Sequence, residues 1–120
     1  IDPKWIRPGQ VIFPLSNPDP EIEPTDAKAA GAAFCSDGRS INNALAFPGL
    51  FRAALAVESR AITPGMRIAA ARAIASCAEP GEVVPSPLLR NVHDAVVAAV
   101  SEAARAEGLE RTARLTRKTT

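Results

Sequence analysis

Tyrosine is missing from this 120-residue chain, histidine occurs once, and aromatic residues make up 4% of the sequence. That shortage excludes a core built on large rings. Ala, Val, Ile and Leu must fill the interior, which favours close helix–helix or helix–sheet packing. An excess of one charge is missing too: a net charge of +1 leaves no electrostatic footprint for nucleic acid or an anionic membrane surface. No apolar stretch approaches the roughly 20 residues that a membrane span needs. The opening IDPKWIRPG has no charged-then-apolar leader pattern and no initiator Met. These features predict a cytoplasmic protein whose sequence starts inside a longer chain. Cys35 and Cys77 form no CxxC and have no partners at metal-finger spacing, which points to buried, reduced thiols.

Most catalytic signatures are also missing. There is no Gly-x-Ser-x-Gly elbow, P-loop, HExxH or GxGxxG. His93, in NVHD, has no carboxylate or second ligand at a recognisable spacing and reads as a surface or capping residue. Lys4, Lys28 and Lys118 fall in a loop, on a polar helix face and in the tail, not in the apolar surroundings a catalytic amine needs. Glu21 and Glu23 read as acidic charge at the start of a helix. The closing RTARLTRKTT lacks an apolar face, so residues 112–120 read as a basic, flexible tail.

What is there belongs to one domain at most, with 47% hydrophobic and 22% charged residues. The run Val11-Ile12-Phe13 reads as a strand, and Pro14 within it as an edge position or an early strand end. EPTDAKAAGA supplies a helix, with Pro24 at its first position, Asp26 in the first turn and Gly31 at the left-handed stop. AAFCS, residues 32–36, reads as a second strand, completing a strand–helix–strand unit. From Ile41 the pattern is helical. A break is expected at Pro48-Gly49, where one helix ends and another begins. Thr63 and Pro64 open the next helix, whose apolar repeat runs through Ile68, Ala71 and Ile74. A last helix from about Pro87 to Glu107 carries Val92, Val96 and Val100 at i, i+4 spacing and stops at Gly108. Two short parallel strands do not make a stable sheet, and several one-sided helices need something to cover. The fold class is therefore α/β, as part of a larger domain.

The chemistry left over is that of amides. Asn17 follows the first strand, and Asn42 and Asn43 follow the second and open a helix. If the strands are parallel neighbours, both sites emerge at one carboxyl edge, where open α/β sheets bind ligands. An Asn side chain offers two N–H donors and a carbonyl without adding charge. It orients a carboxylate or carboxamide well and serves poorly as acid, base or hard-metal ligand. Capping or turning the backbone is the other use of these residues.

Taken in order, VIFPLSNPDPEI, GRS, INNALAFPGLFRAAL, ITPGMRIAAARAIA and VPSPLLRNV resemble the C-terminal part of the NAD-binding domain of bacterial-type malic enzymes. Ser16-Asn17-Pro18 and the stretch from Asn42-Asn43 through Phe47-Pro48-Gly49 are the specific segments. The resemblance covers about Trp5 to Arg111, so residues 1–111 are assigned to that domain portion. It implies a Rossmann-like domain and oxidative decarboxylation of malate to pyruvate, with NAD or NADP and with Mg or Mn. It further implies that Asn17 faces substrate and nicotinamide, and that Asn42 and Asn43 help to hold the malate carboxylate. In the family the catalytic Tyr and Lys, the metal carboxylates and the glycine-rich loop come earlier in the chain. The resemblance thus makes the remainder of such an enzyme the partner, with a homo-oligomer expected for the complete enzyme. Two departures stand out. Family members usually carry several residues between Gly-Arg-Ser and the Asn pair, whereas this chain reads GRSINN, and Pro14 stands where a small or apolar strand residue is more usual. A non-catalytic helical interaction domain derived from the same fold is the alternative. In-frame coding sequence upstream for the dinucleotide loop and metal carboxylates separates the two.

Overall fold

Prolines and glycines set the joints of this chain, and small apolar residues fill what lies between. The structure, a computed structural model, describes residues 1–16, 18–37, 41 and 43–111. A 3-10 turn at Pro3–Trp5 leads into β1, Val11–Ile12. Helix α1, Pro24–Ala29, has Pro24 in its first turn together with Asp26, and Gly31 follows at φ +105°. That left-handed conformation is cheap only for glycine. It turns the chain back into β2, Phe34–Cys35.

The two strands are parallel, with Val11 beside Phe34 and Ile12 beside Cys35. The Ala33 N–H donates to the Gln10 carbonyl at 2.9 Å, and Ser36 N–H to Ile12 at 3.1 Å, which continues the pairing at both ends. β1 is shorter than its apolar run, since Phe13 lies beyond the paired residues. Pro14, which has no N–H to donate, is buried just after it. Because side chains alternate along a strand, one face of the pair carries Ile12 and Cys35. They pack with Ile6, Ile22, Ala27 and Ala32 beneath α1. The other face carries Val11, Phe13 and Phe34, with the two phenyl rings 5.8 Å apart, and Val11 and Phe13 are exposed.

A 3-10 turn at Asn43–Leu45 precedes α2, Phe47–Ala56. Pro48 therefore opens a helix, where its missing N–H costs nothing, and no α-helix ends there as the sequence had suggested. Gly49 has a packing reason: a Cβ at that position would lie 2.7 Å from Val96 Cγ1 and 2.8 Å from Val96 Cβ. α3, Pro64–Ser76, is capped as expected, with the Met66 N–H donating to Thr63 Oγ1 at 3.2 Å. Its buried stripe is Met66, Ala70, Ala73 and Ile74, while Ile68 is 54% exposed, which corrects the expected repeat. The proline-rich connector lasts longer than expected, and α4 spans Arg90–Ala106. Val92, Val96 and Val100 are fully buried, and Gly108 stops the helix at φ +66°. Together with Leu45, Ala53 and Val57 these side chains form one helical core. Among the described residues no helix is long and apolar enough to cross a membrane. The tail, residues 112–120, lies outside the described residues.

Candidate functional site

Since β1 and β2 run in the same direction and in register, the chain leaves both at one edge. Phe13 to Ser16 leave from β1, and Ser36 and Asp37 from β2. The condition set by the sequence, that both exits share a carboxyl edge, is met. Asn17 and Asn42 themselves lie outside the described residues. Asn43 opens the 3-10 turn before α2 with its backbone, and its side chain is likewise outside them. What the structure brings together is thus the two strand exits.

Glu21 is the residue that the sequence had misjudged. Its Oε2 accepts the Leu15 N–H at 2.9 Å and the Ser16 N–H at 3.1 Å, closing the turn that follows β1. Hydrogen bonds from its own backbone N–H, and then from Ser16, lower its carboxyl to about 2, far below the usual carboxylate range. Glu21 is therefore a clamp on the turn, with no part in starting the helix. Glu23 holds the capping position of α1, and its side chain makes no capping hydrogen bond. No local signal announced it, because a side chain that reaches back five and six residues to backbone donors follows neither a helix nor a strand period.

Ser36 was also missed. It is 4% exposed at the exit of β2, and its Oγ has no hydrogen-bond partner among the described residues. A buried hydroxyl without a partner is uncommon and costly, and this one sits where the edge opens. Beside it, burial pushes the Cys35 thiol up, with Lys28 opposing weakly. A thiol so raised is a poor nucleophile. Both cysteines are free, Cys35 buried and Cys77 half-buried.

His93 is neither a cap nor a plain surface residue. It is half-buried, and Nε2 lies 2.8 Å from the Pro87 carbonyl, a donor bond that ties α4 to the proline-rich connector. Nδ1 is buried without a partner among the described residues. The ring lines a pocket where the first turns of α2 and α4 meet, with Pro48, Gly49, Arg52, Arg90 and Asp94. Arg52 and Asp94 pair there at 3.3 Å, an exposed bridge.

Among the described residues no three His, Cys, Asp or Glu side chains gather to hold a metal ion. These residues therefore do not fit a Mg or Mn site. Among the described residues the edge carries the Ser36 hydroxyl at the exit of β2 and, at the exit of β1, the Leu15 and Ser16 backbone bonded to the Glu21 carboxylate.

Comparisons with known proteins identify the frame to which this edge belongs. The family model for the malic enzyme, NAD binding domain, matches residues 36–107. NAD-dependent malic enzyme 1 of Bacillus subtilis (strain 168) is 58% identical over 104 residues, spanning 87% of this chain and 24% of that protein. The bifunctional malic/malolactic enzyme of the same organism is 45% identical over 111 residues, with 84% of this chain and 27% of that protein covered. The crystal structure of malic enzyme from Pyrococcus horikoshii Ot3 superposes with a TM-score of 0.84 at 48% identity, over 92% of this chain and 28% of that one. The chain therefore spans about a quarter of the length of these relatives. It belongs to the malic enzyme family, as a segment of the NAD-binding domain.

Proposed function

We propose that this segment works within a complete malic enzyme, oxidatively decarboxylating malate to pyruvate with NAD or NADP. In this reading Asn17 orients substrate and nicotinamide, and Asn42 and Asn43 hold the malate carboxylate. The observation that carries the reading is the parallel, in-register pair β1–β2, whose exits share one edge. A bound dinucleotide supplies the hydride acceptor, and Mg or Mn is held by residues outside this chain. The task left to the segment is to hold a dianionic substrate still. Neutral amides do so without altering its charge, and hydrogen bonds fixed in advance lower the barrier by orientation. The prolines around Asn17 serve the same end, since each fixes its own φ and restricts its predecessor. The complete enzyme is expected to act as a homo-oligomer in the cytoplasm.

The test is Asn17→Ala in a complete enzyme that carries this segment, with exposed Asn91→Ala as the control. A hydrogen bond to a charged group is worth roughly 1.5–3 kcal/mol, so kcat/KM should fall about ten- to 150-fold. An Asn17→Ala variant that behaves like the control refutes the reading. The self-contained core of α2, α3 and α4 favours one other reading, a non-catalytic helical interaction domain. Under it neither substitution affects turnover.

A further inference from the structure

We propose that the outer face of α2, the stripe Phe47, Phe51 and Leu55, is a docking surface for the earlier part of the same enzyme chain, which covers it with an apolar face of its own. This rests on the reading that the segment works within a complete malic enzyme, and it concerns a surface to which no role has been given.

α2 is apolar on both sides. On the inner side Gly49, Ala53 and Val57 are buried in the helical core. On the outer side Phe47, Phe51 and Leu55 recur every four residues, which places them on one face, and they are 60%, 45% and 76% exposed. The Phe47 and Phe51 rings lie 4.7 Å apart between centroids, which joins them into one ridge. Arg52 is the one charged residue of α2, and it is bridged to Asp94 of α4, so the stripe itself carries no charge. A helix that is apolar all round belongs inside a protein. Apolar residues exposed in a continuous patch mark a contact surface, where scattered ones do not.

Area and chain length together select the occupant. The exposed part of the three side chains amounts to roughly 350 Å². Two copies meeting through it would bury about 700 Å², well short of the roughly 1,200 Å² at which stable interfaces between separate chains begin. A surface on the same polypeptide loses no translational freedom on docking, so a patch of this size suffices there. The chain outside this segment is long enough to supply one. The crystal structure of the Pyrococcus horikoshii malic enzyme holds the same arrangement of these elements, and this segment covers 28% of it. The exposure of α2 therefore does not come from a helix lying out of place. The uncharged stripe fixes the chemistry of its cover: aliphatic or aromatic side chains, with no carboxylate or amine facing the ridge.

The experiment is thiol labelling of Leu55→Cys, in this chain alone and in a complete malic enzyme that carries the segment. The labelled peptide is identified by mass, since Cys35 and Cys77 are also free. A maleimide should modify Cys at position 55 quickly in the chain alone and at least about 100-fold more slowly in the complete enzyme, at every protein concentration. Equal rates in the two overturn the proposal. Protection that appears only as the concentration rises means that a second copy is the cover, and also overturns it. Phe51→Asp gives a second readout. It should lower the melting temperature of the complete enzyme by at least about 5 °C, because a buried charge would lack a partner, and that of the chain alone by less than about 2 °C. Equal shifts in the two contradict the proposal. Should Leu55→Cys not fold, Phe51→Cys carries the same labelling. Labelling reads contact and not turnover: an unprotected position 55 leaves the role of Asn17 standing, and a harmless Asn17→Ala leaves a protected position 55 standing.

Discussion

Val92, Val96 and Val100 on α4 are fully buried, whereas Val11, Phe13 and Leu15 along and beyond β1 are 59%, 48% and 64% exposed. The two regions place equally apolar side chains in opposite settings. In the helical region three helices cover one another, and Gly49 lets α2 and α4 approach until Val96 fills the gap. In the sheet region α1 covers one face of a two-stranded pair, and the other face is open. Parallel strands are ordinarily covered on both faces. The helical region closes an inner core of its own, although Phe47, Phe51 and Leu55 on the outer side of α2 stay exposed, whereas the sheet region leaves a whole face of its strand pair open. The carboxyl edge lies in the second.

The largest effect that sharpens this contrast comes from Phe13→Ala. In a complete enzyme, where the open face is expected to be covered, it should cost about 3–5 kcal/mol, as loss of a buried Phe does. In the isolated chain only the contact with Phe34 is lost, about 1 kcal/mol. Urea unfolding of both forms measures the gap, and equal losses in the two would erase the contrast.

Substitutions in the helical core should show no such dependence. Met66→Ala removes a fully buried side chain and should cost about 2–5 kcal/mol in the isolated chain and in the complete enzyme alike. Gly49→Ala should follow with a smaller loss. Overpacking against Val96 costs about 1–3 kcal/mol, offset by about 1 kcal/mol of gained helix propensity. A Met66→Ala variant as stable as the parent in the isolated chain would mean that the helical core does not stand alone.

How far the sequence could be read follows from the same contrast. α1 was legible because Pro24, Asp26 and Gly31 are local signals whose reasons lie within the helix. α4 was legible because its valines recur against a polar background. α3 was not, since alanines occupy both its inner and outer faces and the period has no contrast. Ile68 looked like core and is exposed, while Ala70 and Ala73 carry the contact. Pro48 misled because a proline that starts a helix and one that breaks a helix look alike from the sequence. Glu21 was invisible for another reason: a side chain that reaches back five and six residues to backbone donors leaves no periodic trace. At the site, the shared carboxyl edge was foreseeable from apolar runs and turn residues. The buried, unpartnered Ser36 hydroxyl was not, because burial in a partly covered sheet depends on residues distant in sequence.

If a neutral amide at position 17 faces a negatively charged substrate, Asn17→Asp in the complete enzyme is the sharpest probe of it. The substitution keeps the size and replaces a donor with a carboxylate, and like charges in a shielded cleft repel far more strongly than in water. kcat/KM for Asn17→Asp should then fall below that of Asn17→Ala. A value for Asn17→Asp equal to or above that of Asn17→Ala would contradict it.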